Sequence, residues 1–406
     1  MADALKRRIG LPLLTAYGVG VMVGAGIYVL VGAVAAEAGI WAPLAFLLAG
    51  MIAAPTALSY AEFSTRLPEA GGEAVYVSEG LGIPSLGALI GLAIVITGSI
   101  SGAAVLRGGA GYLTAITPIP AEVAIVVMGG LLIAVALVGV LESLALAALF
   151  TAVELIGLGI VVWVGLSTAP VADLSAAAPP VWTGVGAAAV LAFFAFIGFE
   201  DIVNMAEEVK RPEKTLPRAI LLSLMITSII YAVVSYAAVR AVPLADLTVS
   251  EQPLLLVWHQ GDTSGAAAPA AFLSAIAVAA ALNGVLAQIV MAARVLFGIG
   301  RRTPALAVFH HTSARFGTPT LATVLIGGLV TVAALVLPVS SLAEGASTLL
   351  LSIFVIVNLA LIAMKRKQPE APFRVPMLVP VLGLLAALGA LAVNFGILDL
   401  LQGGAA

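Results

Sequence analysis

Long apolar runs separated by short polar stretches make up most of the chain, and their lengths cluster near the ~20 residues a helix needs to cross ~30 Å of hydrocarbon. In order they are Pro12–Ala38, Pro43–Arg66, Leu86–Ile116, Glu122–Val140, Ser143–Ser167, Val181–Val209, Leu216–Ala241, Ala271–Gly300, Pro319–Leu337, Leu342–Met364 and Met377–Ile397. A membrane barrel would show ~10-residue alternating segments instead. The pattern therefore predicts an all-α integral membrane protein with about 11 transmembrane helices.

Two of the runs carry more than a plain span requires. The first, Gly18–Gly32, reads GVGVMVGAGIYVLVG and holds Gly20, Gly24 and Gly26 in its middle. Glycine inside a helix costs about 1 kcal/mol relative to alanine, so the cluster predicts unwinding or a close backbone approach. The spacing of Gly20 and Gly24 also suits simple helix packing. The sixth run contains AFFAFIGFEDIVNMAEEV, with Gly198 inside an aromatic stretch followed by Glu200 and Asp201 at membrane depth. Packing alone does not account for those charges. Unpaired backbone groups in hydrocarbon persist only where protein or a watery cavity supplies partners, so two breaks should line a cavity. Five spans separate the two runs, and an odd number reverses the direction of travel. Interrupted helices at corresponding positions of oppositely oriented halves point to an inverted-repeat carrier with its site between the repeats.

The breaks predict a chemistry. A half-helix starting near Gly26 presents N–H groups and a positive dipole end to a carboxylate, and one ending near Ile197 presents carbonyls to an ammonium. A zwitterion fits between them. Phe194, Phe196 and Phe199 either wall this pocket or serve plain packing.

Composition sharpens the class. The 406 residues are 62% hydrophobic and 10% charged, with no cysteine, which removes disulfides and thiolate metal sites. Mean hydropathy is +1.18. Of the 18 basic residues, alternate-loop counting leaves all but Arg107 and Arg240 on one face, including Lys6 to Arg8, Lys210, Arg211, Arg301, Arg302 and Lys365 to Lys367. Basic loops mark the cytoplasm, so the amino terminus is expected inside and the carboxyl terminus outside a plasma (inner) membrane. Lys6 to Arg8 before an apolar run imitate a secretory leader, but the run is too long for a leader core and is interrupted by glycine. His259, His310 and His311 fall in loops without a second ligand set, so neither metal nor cofactor is expected.

With these residues in view, GVGVMVGAGIYVLVG, FFAFIGFEDIVNMAEEVKRPEKTLPRAI and ARVLFGIGRRTPAL after the eighth span resemble an amino acid–polyamine–organocation superfamily permease. The resemblance implies the LeuT-type five-plus-five inverted repeat with broken helices 1 and 6, and secondary transport of amino acids or related amines by alternating access. Residues 1–168 would form the first repeat, 181–364 the second, and 375–406 an accessory span and tail, all within one transporter domain. It also implies a carboxylate-binding turn at Gly24, Ala25, Gly26 and Ile27 with the Met22 carbonyl nearby, amine-binding carbonyls at Phe194 and Ile197, and gate or pocket side chains at Phe196 and Phe199. Many relatives have twelve spans, so a monomer or weak homo-oligomer is expected here.

Coupling rests on the fifth span, FTAVELIG. Glu154 lies about eleven residues beyond Ser143, or ~16 Å deep, where an ionisable group is functional by default. Some proton-coupled relatives carry a lysine in this region. Proton coupling through Glu154, with Glu200 and Asp201 as further coupling or gating groups, is the expectation; a neutral glutamate bonded to a neighbouring helix is the bland alternative. Sodium is less favoured, because no serine or threonine lies between Gly284 and Ala293 to supply hard oxygen ligands. The lack of an assured acidic wall residue favours neutral or apolar amino acids, with exchange against polyamines or cation-coupled amine transport as alternatives. No HExxH, GxSxG or Walker pattern supports an enzyme, and no basic footprint suggests nucleic acid. A channel or a non-transporting receptor remains open at this stage.

Overall fold

The computed structural model describes residues 9–68, 72–138, 144–171, 178–261, 270–313 and 318–395. The expected Lys6 to Arg8, Ser143, Arg315 and the tail beyond 395 lie outside the described residues, as do the side chains of Ala25, Glu207, Arg301 and Arg302. Every regular element among the described residues is helical.

Eight segments are long and apolar enough to cross a membrane, and Leu11–Gly24, Thr320–Val336 and Leu378–Asn394 are shorter apolar helices. They assemble into the expected spans: α1 (Leu11–Ala38), α2 (Ala42–Arg66), α4 (Pro84–Thr114), α5 (Ala121–Val138), α6 (Leu144–Ser167), α7 (Trp182–Phe193) with its 3-10 continuation, α8 (Pro212–Ala241), α11 (Ala270–Arg302), α12 (Thr320–Val336), α13 (Val339–Lys367) and α14 (Leu378–Asn394). Three short helices, α3 (Gly72–Leu81), α9 (Leu244–Leu247) and α10 (Pro253–Gly261), lie in the connections. Proline opens α2, α4 and α8 at their first turns, where its missing N–H costs nothing.

α4 packs along α11, α2 along α8, and α1 runs through the centre against α6, α7 and α8. Small residues set this spacing: a side chain at Gly108 would drive into Val29, and one at Gly20 into Thr151. The two basic residues left over in the sequence cap helix ends. Arg107 donates to the Ala334 and Leu335 carbonyls at the end of α12, and Arg240 to those of Gly165 and Thr168 at the end of α6. Each guanidinium thus satisfies carbonyls that the helix itself leaves orphaned.

A buried ion network fastens the face that carries the basic loops. Glu62 of α2 is fully buried and accepts from Lys365 Nζ at 2.6 and 2.9 Å and from Arg66 Nη2 at 2.6 Å. Its Oε2 also accepts the Val375 N–H at 2.8 Å, while Lys365 donates to the Val375 carbonyl at 2.6 Å. Arg66 reaches the Gln368 and Glu370 carbonyls. The connection between α13 and α14 is therefore tied to α2 on every side.

Candidate substrate and coupling site

α1 is interrupted at Gly24, whose φ of 4° and ψ of −157° leave the helical region. The sixth span breaks more openly. α7 ends at Phe193, Phe194–Phe196 tightens to a 3-10 turn, Ile197 is extended with ψ 128°, and Gly198 takes φ +122°, a conformation for which glycine is the natural occupant. A second 3-10 stretch, Glu200–Glu208, then completes the span. The two breaks cross closely, since a side chain at Gly26 would meet the Ala195 backbone at 3.2 Å. The bland reading of the glycines, continuous helices in tight contact, does not hold for either span.

The freed backbone groups find specific partners. Tyr231 of α8 places its hydroxyl 2.6 Å from the Met22 carbonyl and 2.7 Å from that of Ala195, joining the two breaks through one phenol. Glu200 turns back so that its Oε2 accepts the Gly198 N–H at 2.9 Å. The Phe194 carbonyl accepts the Ile197 N–H, whereas the Ile197 carbonyl accepts no hydrogen bond among the described residues. Of the two carbonyls expected to hold an ammonium, Ile197 is open and Phe194 is partly engaged. The expected Met22 carbonyl is occupied by Tyr231.

The aromatic residues of the sixth span divide. Phe196 stacks edge-on to Tyr231, and Phe199 packs against Tyr60 and Phe354; both are fully buried. These rings belong to a packed aromatic core with α2, α8 and α13. Beside the break, between α4, the sixth span and α11, lies a cavity of about 10 Å³ whose wall includes Thr97, Gly98, Ile197, Glu200, Asp201 and Gln288. That is room for roughly one water or one small polar head group. Phe194, Phe196 and Phe199 do not line it. Glu200 and Asp201 do line it.

Glu154 stands apart from this cavity. It is 1% exposed on α6 facing α1 and α11, and Asn283 Nδ2 lies 3.4 Å from its Oε1. Its Oε2 has no hydrogen-bond partner among the described residues. Tyr28 donates to the Glu154 main-chain carbonyl, and Tyr112 to that of Tyr28, so the backbone around it is fixed while the carboxyl is not.

Both mouths of the break are covered. On the basic-loop side, Ile9 pairs in parallel with Val209 through Ile9 N–H to Glu208 and Lys210 N–H to Ile9, at 3.1 and 2.8 Å. On the other side, α9 and α10 lie on the far half of α1, with the Leu247 carbonyl against Gly32. Sequence reasoning missed Tyr231, Glu62 and Lys365. A tyrosine within an apolar span and charges at span ends look ordinary until their partners are known.

The amino acid permease family model matches residues 9–404. The chain belongs to that family. The branched-chain amino acid permease of Bacillus subtilis is 29% identical over 411 residues, covering 95% of this chain and 87% of that protein. The methylthioribose transporter of the same organism is 28% identical, again with 95% and 87% coverage. The vacuolar cationic amino acid transporter 4 of Arabidopsis thaliana is 30% identical over 397 residues, covering 90% of this permease but only 64% of the plant protein. A solved sodium-coupled sialic acid symporter, substrate-bound and outward-open, superposes with a TM-score of 0.64 at 11% identity, covering 97% of this permease and 92% of that chain. The fold is LeuT-type, and the permease is a multi-pass membrane transporter, not an enzyme.

Proposed function

We propose that the permease is a secondary active carrier that moves amino acids across the plasma membrane by alternating access, coupled to protons through Glu154. The observation that carries this reading is the pair of broken helices, crossing at Gly26 and Ala195, with no hydrogen bond to the Ile197 carbonyl among the described residues. Open main-chain acceptors beside the α1 turn at Gly24 to Ile27 suit the α-ammonium and α-carboxylate that all amino acids share.

Three further features support it. Short helices occupy corresponding connections of the two halves, α3 between the second and third spans and α9 with α10 between the seventh and eighth. This favours the division into repeats at residues 1–168 and 181–364, with 375–406 accessory. The basic-residue bias favours an inside amino terminus and an outside carboxyl terminus. Finally, a buried carboxyl with one oxygen unpaired responds in charge state to whether its surroundings are open to water, which is what coupling to alternating access needs. Sodium stays the less favoured coupling ion, and exchange of amino acids or amines is the second transport mode consistent with the same site. The relatives' names cover branched-chain amino acids, cationic amino acids and methylthioribose, so they leave the side chain unranked.

The test is uptake into proteoliposomes. Saturable uptake stimulated by internal counter-substrate is expected; flux that neither saturates nor shows counterflow would mean a channel, and no flux a receptor. Under an inward proton gradient Glu154→Gln should lose the gradient's stimulation and keep counterflow. Full stimulation in that variant would remove Glu154 from the coupling role.

A further inference from the structure

We infer that the exposed basic stripe where α8 begins binds an anionic phospholipid, whose phosphate is held by Lys214 and Arg218 with Arg211 beside them. The inference uses only the membrane-spanning fold and goes beyond the carrier reading.

The pattern of exposure along α8 carries the argument. Lys214 and Arg218 are exposed and lie four residues apart, so they share one face of the helix. Continued at helical spacing, that face holds Leu222, half-buried, and then Met225, Ile229, Val233 and Tyr236, all exposed. Elsewhere α8 packs on α1, α2 and α6. In a chain that spans a membrane, large apolar side chains left open along a span face acyl chains. One stripe therefore passes from lipid-facing apolar residues directly into basic ones.

Depth puts the basic end at the level of the headgroups. The apolar part of the helix, Leu221 to Ala238, is about 27 Å long at 1.5 Å per residue, close to the ~30 Å of hydrocarbon. Arg218 follows about 5 Å beyond it and Lys214 about 11 Å, within and at the outer edge of an interfacial layer ~5–8 Å thick. Long basic side chains lay their stems on apolar surface and reach with their charged ends, so both converge on the phosphate level. The chain enters this face through Arg211, which is exposed and takes φ +50°, a conformation that no other non-glycine residue shows among the described residues. Between Lys210 and Arg218 the sequence holds a single acidic residue, Glu213, which is half-buried and lies one position off the stripe.

The chemistry of the stripe selects its occupant. A guanidinium presents paired N–H donors to phosphate oxygens, and an ammonium adds a point charge. Each basic residue near a membrane surface favours anionic lipid by roughly fivefold. A free anion gains nothing from Met225 and Ile229, whereas the acyl chains of a lipid lie along them, and this decides for a lipid over soluble phosphate.

The experiment titrates the purified full-length protein in dodecyl maltoside with phosphatidylglycerol, phosphatidylcholine or inorganic phosphate and follows the unfolding temperature. Phosphatidylglycerol should stabilise at a concentration at least fivefold below that of phosphatidylcholine, and inorganic phosphate should not reproduce the effect. The triple variant Arg211→Gln, Lys214→Gln, Arg218→Gln should bring the two lipids to the same midpoint. Removing the same charge from Arg366, Lys367 and Arg374, which are also exposed on the basic-loop side, should leave the wild-type preference in place. The double variant Lys214→Gln, Arg218→Gln spares the turn at Arg211 and should show the same loss, which keeps the test open if the triple variant does not fold. Equal midpoints for the two lipids in the wild type overturn the inference, as does a preference that survives in the folded double variant. An equal loss in the Arg366, Lys367 and Arg374 variant would mean general attraction to the basic side, and stabilisation by phosphate alone would mean a free-anion site; either result overturns it too.

Discussion

A phenol carries one proton, yet the hydroxyl of Tyr231 sits within hydrogen-bond distance of two carbonyls, Met22 and Ala195, from two different broken spans. It donates to one at a time, so the second carbonyl is held close without being satisfied. Tyr231→Phe would remove the single hydrogen bond that this hydroxyl donates between the two breaks, at a cost of about 1–3 kcal/mol if the accepting carbonyl is left unsatisfied. The expected outcome is a lower thermal unfolding temperature and altered substrate affinity, since the two breaks would no longer be tied together. A variant with wild-type stability and wild-type affinity would show the bond to be incidental. Glu73 behaves differently. Burial on α3 raises its carboxyl to about 7, so the folded state favours the protonated form. Its contribution to stability is full below the unfolded value near 4.5, falls as pH rises and is gone above about 7. Protection factors across Gly72–Leu81, corrected for the intrinsic pH dependence of amide exchange, should therefore be higher at pH 5 than at pH 8, and Glu73→Gln should flatten that difference.

Among the elements, the broken spans were legible because glycine and charge at membrane depth have few explanations in hydrocarbon. Gly24 and Gly198 are where the main chain leaves the helix. The partners of the freed groups were not legible. That Phe196 and Phe199 would turn into an aromatic core with Tyr60, Tyr231 and Phe354, and not toward the cavity, depends on where α2, α8 and α13 lie. A one-dimensional pattern does not carry that information. That Glu200 and Asp201 border a small cavity is likewise set by the packing of α4 and α11, which a linear pattern does not carry. The inner ends of the two broken spans meet as a short parallel pairing of Ile9 with Val209. Paired strands lie ~4.8 Å apart, within disulfide range, and the native chain contains no cysteine to interfere. Oxidising an Ile9→Cys, Val209→Cys double variant should arrest transport, and reductant should restore it, if these ends part during each cycle. Undiminished transport by the cross-linked protein would show that they stay together.

At the scale of the molecule, the number and order of crossings followed from hydropathy because lipid imposes its thickness on every span. The ties among spans followed from nothing so regular. Glu62, Lys365 and Arg66 form a fully interior charge network, and removing one member of such a set typically costs about 3–5 kcal/mol because the rest are left uncompensated. Glu62→Gln should accordingly lower the unfolding temperature sharply, with Lys365→Met in the same chain recovering part of the loss. A neutral effect of Glu62→Gln alone would show that water, not protein, serves these charges. The same network means that the final crossing is no appendage. Both main-chain groups of Val375 are engaged by the Glu62–Lys365 pair, so a chain cut ahead of that residue would strip the older spans of their own ligands, and shortening the protein at this point amounts to a lesion in its interior.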